Sequence, residues 1–531
     1  NLGQAQVEGA PDSVYMLVDR LSIEALKIIL DRPADDLPRV QLAHVTTASL
    51  PALRAYLEGE VLYRKADWPA AIDAYQRAVA ADSTFALAWL RLSESISWLP
   101  AGDRPEGDVD EPAARAARHV DRLAEREAVL VRAYQHFIIA GSMTMLEPLK
   151  SATRRYPDDP ELAYLLGEHY AHFGDQLLVD PAETERALDR AIQLDPTFAP
   201  YYQHPIEYAF YRGDSARALE LLGKFESLAG GTFEVRRYRL GAALAWGTPA
   251  ERSKAFSALD TLREGGASPS FLLVQPRFLE ALLASADAAL RGENTLAFVF
   301  ANLTAGRLEA VDEALRAGQG IPGPGFYTAV LYFKDMYGLP VNPDSLRALA
   351  TADTTFPNMY YTGVLAAQEG RREEVRAWQA QARAFAQTML EAGDTLGANQ
   401  VLGFGRTIEG FSLLQQGNRE AALAALLAGQ RAATGWGPVA GINAIVRWQI
   451  AGVLVDLGRE EEAVPWYRSF RNDPYAALEL GKVYETLGRR GEAKEQYETA
   501  LAFWREADPA LAPKVAEARQ RLAGLGFQPR G

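Results

Sequence analysis

The residues best suited to chemistry lie in the segment EHYAH. It sets His169 and His172 one helical turn apart, with Glu168 and Asp175 nearby, a spacing that could seat a metal on one helix face. No HExxH motif and no second histidine pair supports it, and the chain has only 6 histidines. One packed and one exposed imidazole explain the pair more economically, so no metal site is expected. Gly318, Gly320 and Gly323 formally match a dinucleotide fingerprint. That fingerprint needs a strand before it and a helix after it. Here VDEALRAG precedes it and reads as a helix, while Pro322 and Pro324 stiffen the loop. The segment reads as a linker, and no cofactor is expected. There is no P-loop, GxSxG or EF-hand pattern, and the absence of cysteine removes disulfide and thiolate chemistry. Carboxylate runs such as DEALR and REEEA fall on polar helix faces, where they pair with Arg or Lys at i,i+4. No catalytic residue is expected, and the chain does not read as an enzyme.

The elements that would position any such residues are helical. Ala, Leu, Arg, Glu and Gly dominate and β-branched runs are scarce. A chain of 531 residues with 48% hydrophobic content exceeds a single compact core, so several domains or a repeat array are expected. A net charge of −14 without a long basic run argues against a nucleic-acid partner. No apolar run approaches the roughly 20 residues that span a bilayer. The chain begins at Asn1 with no signal-peptide pattern before it, so a preceding segment is expected to have been removed. Abundant arginine beside scarce lysine suggests a GC-rich bacterial genome. Either compartment fits, with an extracytoplasmic one slightly favoured.

Paired apolar faces joined by tight turns recur along the chain: RKADWPAAI, YRGDSARALELL, WGTPAERSKAFSAL, TAGRLEAVDEAL, AQEGRREEVRAW, QQGNREAALAAL, DLGREEEAVPWY and TLGRRGEAKEQY. Each sets a Gly, Asp or Pro turn signal before a helix rich in Ala, Leu and aromatics. The interval from Gly213 to Gly247 is one helix–turn–helix length, and Gly370, Gly417, Gly458 and Gly488 follow less evenly. Units of this length indicate an α-solenoid. In AALELGKVYETLGRRGEAKEQYETAL, Gly481 predicts a close helix approach met by Ala493, with Leu480, Tyr484, Tyr497 and Ala500 filling the surrounding space. Gly488 is placed to end the first helix in a left-handed conformation.

The pattern resembles the tetratricopeptide repeat, a helix–turn–helix unit. It is carried by Gly59, Leu62, Ala71, Tyr75 and Ala78; by Trp89, Leu92, Ser93 and Ile96; and by Leu166, Gly167, Tyr170, Leu188, Ala191 and Pro196. It continues through Tyr202, Ala209, Gly213, Ala218 and Leu222, and near the end through Gly410, Leu413, Gly417, Ala422, Leu426, Leu454, Gly458, Ala463 and Tyr467. The resemblance implies an all-α solenoid, a right-handed superhelix of helical hairpins. Four regions are expected: a lead-in helix and linker over 1–48, an N-terminal array over 49–228 with an acidic insertion near 97–115, degenerate repeats over 229–400, and C-terminal repeats with a capping helix over 401–531. The segment 1–225 further resembles repeats of multidomain bacterial signalling proteins, in which such arrays follow a Ser/Thr kinase or cyclase domain and a TolB-like segment. With no kinase or cyclase motif here, only an accessory role would carry over.

In such arrays the first helix of each unit lines a concave groove. The corresponding positions are Tyr56, Glu60, Tyr63 and Arg64; Glu94 and Trp98; Tyr164, Glu168 and His172; and Glu207, Phe210 and Tyr211. Carboxylates interleaved with rings suit a basic or amphipathic peptide. Glutamate also favours helices and bridges neighbouring turns, which is the more economical reading. The C-terminal units hold Phe411 and Lys482 at equivalent positions, so a peptide groove is expected only in the N-terminal array. A second aromatic run, Tyr201, Tyr202, Tyr208, Phe210 and Tyr211, mixes core with a candidate recognition surface. The expected role is a non-catalytic scaffold for a protein or peptide. Self-assembly is one alternative. The other is a small-molecule or enzyme pocket within 265–365, lined by Tyr327, Tyr332, Phe333 and Tyr337.

Overall fold

Helix boundaries follow the capping and turn residues. The computed structural model describes Gln6 and residues 47–99, 109–140, 143–259, 269–291, 294–317, 324–342, 344, 348, 356–436 and 438–526. Among these there is no strand. The helices are α1 Leu50–Tyr63, α2 Trp68–Ala81, α3 Ala86–Ser97, α4 Asp110–Arg118, α5 Glu125–Ala140, α6 Leu146–Arg155, α7 Pro160–Leu177, α8 Pro181–Leu194, α9 Gln203–Arg212 and α10 Ser215–Ala229. They continue with α11 Phe233–Trp246, α12 Pro249–Leu259, α13 Leu279–Arg291, α14 Thr295–Ala305, α15 Leu308–Ala317, α16 Pro324–Met336, α17 Phe356–Gln368 and α18 Arg372–Glu391. The last seven are α19 Thr395–Gln415, α20 Arg419–Ala432, α21 Pro438–Asp456, α22 Glu460–Arg468, α23 Pro474–Thr486, α24 Arg490–Phe503 and α25 Ala512–Gly524. The fold is all-α and built of tetratricopeptide-like helical hairpins. The expected lead-in helix, the linker glycines Gly318, Gly320 and Gly323, and the terminal GFQPRG beyond Gly526 lie outside the described residues.

The chain divides into two compact units. One runs through His169 and adds Glu185–Tyr208 and Ala216–Arg236; the other holds Tyr170–Thr184, Ala209–Ser215 and everything from Arg237. Within each, sequence-adjacent helices pack on one another, the arrangement of a repeat array.

One contact recurs. A Cβ added to Gly481 would stand 2.5 Å from Tyr497 Cε1, and one added to Gly59 would stand 2.5 Å from Tyr75 Cε1. Gly410 meets Leu426 Cγ at 2.6 Å in the same way. All three pairs share one sequence interval. In the α7–α8 hairpin Gly167 meets Leu188 at 2.5 Å. The interval there is longer, because α7 runs on from Gly167 to Leu177, further past its glycine than the other first helices, and is followed by an extra turn at Leu178 (φ 56°). The large side chain opposite Gly481 is Tyr497 rather than the expected Ala493, which is buried beside it. Leu480, Tyr484, Tyr497 and Ala500 are all buried, as their spacing predicts. Asp473 caps α23 by accepting from the amides of Tyr475 and Ala476 at 2.8 and 3.0 Å. Gly488, at φ 72°, ends it, with the Arg489 amide donating to the Tyr484 carbonyl at 2.8 Å. Gly213, Gly370, Gly417 and Gly458 share the left-handed conformation, and Gly247 does not.

Several expectations change. Within the acidic insertion near 97–115 the residues 110–115 are helical, and the chain after the linker glycines is helical from 324. Tyr201, Tyr202, Tyr208 and Phe210 are core, not a recognition surface. Tyr332 and Tyr337 are also core, and Tyr337 stacks on Tyr475 at 4.2 Å; the Tyr327 side chain is outside the described residues. One helix, Val439–Asp456, is long and apolar enough to cross a bilayer by length and composition. It packs as a core helix of the second unit: Ile442, Ile445, Val446, Ile450 and Leu454 are buried. Its Arg447 donates to Asn443 Oδ1 at 3.0 Å and to the Asp175 and Ser469 carbonyls at 3.2 Å. Helix α25 buries Ala518 and Leu522.

Three glycine variants separate the forces in the α23–α24 hairpin. Gly481→Ala is expected to lower unfolding free energy by ~1–3 kcal/mol through overpacking against Tyr497. Gly488→Ala should cost ~1–2 kcal/mol because of its positive φ. Gly491→Ala, where an added Cβ meets nothing within 4 Å, should raise stability by up to ~1 kcal/mol. Urea unfolding curves check the three signs.

Candidate functional site

Helix α1 presents Tyr56, Glu60 and Tyr63 on one face, and that face is interior. Tyr56 is 3%, Glu60 6% and Tyr63 5% exposed. The absent side chain of Gly59 admits the Tyr75 ring, whose hydroxyl donates to Glu60 Oε1 at 2.7 Å. Helix α3 brings Arg91 and Glu94 to the same place. Arg91 Nε donates to Glu60 at 2.9 Å, Nη1 to Glu94 at 2.7 Å, and Nη2 to Glu161 on α7. Arg126 on α5 donates to Asp159 at 2.6 and 3.0 Å, to Glu161 at 2.5 Å and to Glu127 at 3.3 Å. Tyr63 donates to Glu94 at 3.3 Å, and the Arg91 guanidinium lies over the Tyr63 ring at 5.2 Å. Asp159 also accepts from the Glu161 and Leu162 amides at 3.0 Å, so it caps α7.

The network is unbalanced. Two guanidiniums, Arg91 and Arg126, serve four carboxylates, Glu60, Glu94, Asp159 and Glu161, before the longer contact to Glu127 is counted. A third pair, Arg64 with Asp195 at 2.6 Å, is self-balanced. The imbalance falls on Glu94. Burial pushes its carboxyl up to about 7, and Glu161 and Glu60 add to this against the pull of Arg91. Glu161 bonds both guanidiniums; against the cost of burial, Arg91 and Arg126 hold it at about 2. These groups enclose a cavity of about 120 Å³, walled by Tyr56, Glu60, Arg91, Arg126, Glu161 and Tyr201, among others.

A second buried cluster sits beside it. His204 contacts Glu168 at 3.0 Å through Nε2 and Glu207 at 2.8 Å through Nδ1, with the Trp98 ring 5.9 Å away. Burial opposes its protonation, yet the two carboxylates raise its pKa well above the ordinary histidine value. Trp98 itself stacks on Trp68 at 5.7 Å.

The expected stripe therefore divides. Tyr56, Glu60, Tyr63, Arg64, Glu94, Trp98, Tyr164, Glu168 and Glu207 belong to the first unit; His172, Phe210 and Tyr211 belong to the second. Tyr164 packs on Tyr201 at 4.6 Å. Phe210 is fully buried against Trp246 at 4.6 Å, and Tyr211 lies under Arg471 at 5.4 Å. His169 is buried against Phe137 at 4.8 Å while His172 is exposed, the packed-and-exposed pair its spacing suggested. Sequence reasoning missed Arg91, Arg126, Glu161 and His204, the partners of the glutamates. The one local signal was Arg91, a turn before Glu94.

Removing a shared guanidinium strands several buried carboxylates. Arg91→Met is expected to cost about 3–5 kcal/mol, the range for breaking a buried ion pair from one side. The pH dependence carries three signs. Glu161 is depressed, so its contribution is complete above the unfolded carboxylate value of about 4.3 and is lost as pH falls toward 2. Glu94 is raised, so its contribution is complete below about 4.3 and is lost as pH rises through 7. His204 is raised, so its contribution is present below about 6.5 and is lost as pH rises through its folded value. The first unit should be most stable near pH ~5, and Glu94→Gln should flatten the decline between roughly 5 and 7. Proteolysis-resolved urea unfolding across that range measures both.

The tetratricopeptide repeat family matches residues 475–503, the α23–α24 hairpin. No curated protein matches the chain. Among solved structures, the chain is similar to the APC/C hetero-tetramer Cut9-Hcn1, at 11% identity over 88% of this chain and 96% of that one, TM-score 0.27. It is also similar to the P58(IPK) TPR domain, at 14% over 76% and 99%, TM-score 0.21. A third is the human IFIT1 dimer with PPP-AAAA, at 13% over 86% and 91%, TM-score 0.25. The chain thus carries a tetratricopeptide repeat at residues 475–503, and the glycine-to-ring contact that builds it recurs at Gly59 and Tyr75.

Proposed function

We propose that this protein is a non-catalytic interaction scaffold whose first unit engages a basic segment of another protein. The observation that carries this reading is the charge imbalance beside the cavity, where Glu60, Glu94, Asp159 and Glu161 share two guanidiniums. A ligand bearing Lys or Arg supplies the missing positive charge, and a partly desolvated site makes each such contact stronger than a surface pair. The repeat hairpin supports a binding role, since stacked hairpins offer extended surfaces to partners. The resemblance of the segment 1–225 to repeats of bacterial signalling proteins supports an accessory place in such a protein.

An array of short peptides of graded charge tests the reading with the intact chain. Basic peptides should be retained and acidic ones not, and retention should weaken as salt rises from about 50 to 300 mM. Glu161→Gln should weaken retention roughly tenfold, because it removes a negative charge that faces the cavity. Retention that ignores peptide charge would exclude it.

A further inference from the structure

Two tyrosine hydroxyls at the cavity have no evident task. Tyr56 and Tyr201 are 3% and 2% exposed and both line the cavity. Neither hydroxyl makes a hydrogen bond among the described residues, whereas Tyr63 and Tyr75 each donate to a glutamate. The two side chains are buried but their hydroxyl oxygens open onto the cavity, and two unengaged donor–acceptor groups at one cavity are available to a ligand there.

We infer that the cavity is a binding site for an organic cation head, an alkylammonium or guanidinium group, held by the Tyr56 and Tyr201 hydroxyls and rings beside Glu161. The space suits it: about 120 Å³ is room for roughly four waters, or for a short alkylammonium group. Its walls include the Tyr56, Phe198 and Tyr201 rings, and Phe198 and Tyr201 lie 4.4 Å apart; aromatic faces attract cations. The charges facing it are Arg64, Arg91 and Arg126 against Glu60, Glu127, Glu161 and Asp195, with Glu94 and Asp159 bonded to the same guanidiniums. The sum is negative, so an anion is disfavoured. Oxygens of Glu60, Glu161 and Asp195 already accept from arginines. Glu60 Oε2 and the phenolic oxygens remain as acceptors, a set that suits N–H donors. Glu161, at 26% side-chain exposure, leaves the charge reachable from solvent.

This inference rests on the scaffold reading for its natural source, a lysine or arginine side chain, but the cavity chemistry would equally take a free amine. Two probes separate the sources: n-butylammonium chloride, and the tripeptide acetyl-Gly-Lys-Gly-amide with its Nε-acetylated form as control. Titrations at matched ionic strength use the intact chain, wild type and Tyr56→Phe/Tyr201→Phe. The double variant removes only hydroxyls that hold no contact, and its melting temperature is measured in parallel. The expected result is binding of at least one cation and none of the acetylated control, weakened at least tenfold in the double variant with its melting temperature retained. Binding of butylammonium alone assigns the site to a free amine; binding of both assigns it to a side chain. No cation binding above the sodium control, or equal affinity in the double variant, overturns the inference. If basic peptides are still retained on the array, only the cavity assignment falls; if cations bind while the array shows no charge preference, only the scaffold reading falls.

Discussion

The structure depends on how closely two helices can approach at a glycine. Where Gly59 faces Tyr75, the missing Cβ lets the ring lie against the backbone of α1. The same ring then carries its hydroxyl to Glu60, the next residue along. Packing and electrostatics are therefore coupled at one point: the residue that seals the hairpin also orients the carboxylate that receives Arg91. The α23–α24 hairpin repeats the packing with different chemistry. Tyr497 fills the space at Gly481, but its hydroxyl reaches Glu485 at 2.8 Å. The residue after Gly481 is Lys482, which pairs with Glu479 and Glu517 at 2.8 and 2.9 Å. One backbone geometry thus hosts a buried acidic site in the first unit and a more exposed ion cluster in the second.

The ion network is poor evidence for stability in itself. Desolvating guanidiniums and carboxylates costs several kcal/mol per ion, roughly, and their mutual attraction offsets this only with good geometry. What the network does provide is registration. Arg91 ties α1 and α3 to α7, and Arg126 ties α5 to α7. A hydrophobic interface tolerates sliding by a turn; a guanidinium shared among three carboxylates does not.

Much of this was legible from residue spacing. The constant interval between a glycine and a large side chain, as from Gly59 to Tyr75 and from Gly481 to Tyr497, marks hairpin packing, because both positions are fixed by helix periodicity and a short turn. Glu60, Glu94 and Glu168 were legible as one recurring position. Their direction was not, because whether that face is open or covered depends on helices distant in sequence. Arg91 reaches Glu161 across 70 residues and Arg126 reaches it across 35, and no local pattern encodes such meetings. The aromatic run from Tyr201 to Tyr211 failed for a related reason. It was read as part core and part surface, but Tyr201 packs on Tyr164 and Phe210 on Trp246, rings from segments distant in sequence.

The two units bury arginine in opposite ways. Arg447 in the second unit has carbonyl, amide and hydroxyl oxygens as its hydrogen-bond partners, with Phe470 beneath it at 4.6 Å. Burial draws its pKa down to about 10. Neutral acceptors spread the charge over many weak dipoles, and the site leaves no counter-charge in excess. Arg91 and Arg126 lie among carboxylates that raise their pKa despite burial. There the excess is negative, and Glu94 carries it near neutral pH. A folded chain can hold such an excess by protonating the weakest carboxyl or by accepting a cation. The two are linked: whatever cation enters must shift Glu94 toward its charged form, and ionisation of Glu94 must strengthen the cation's binding by the same factor. The pH range over which Glu94 ionises is therefore the quantity that any cation bound in the first unit would move.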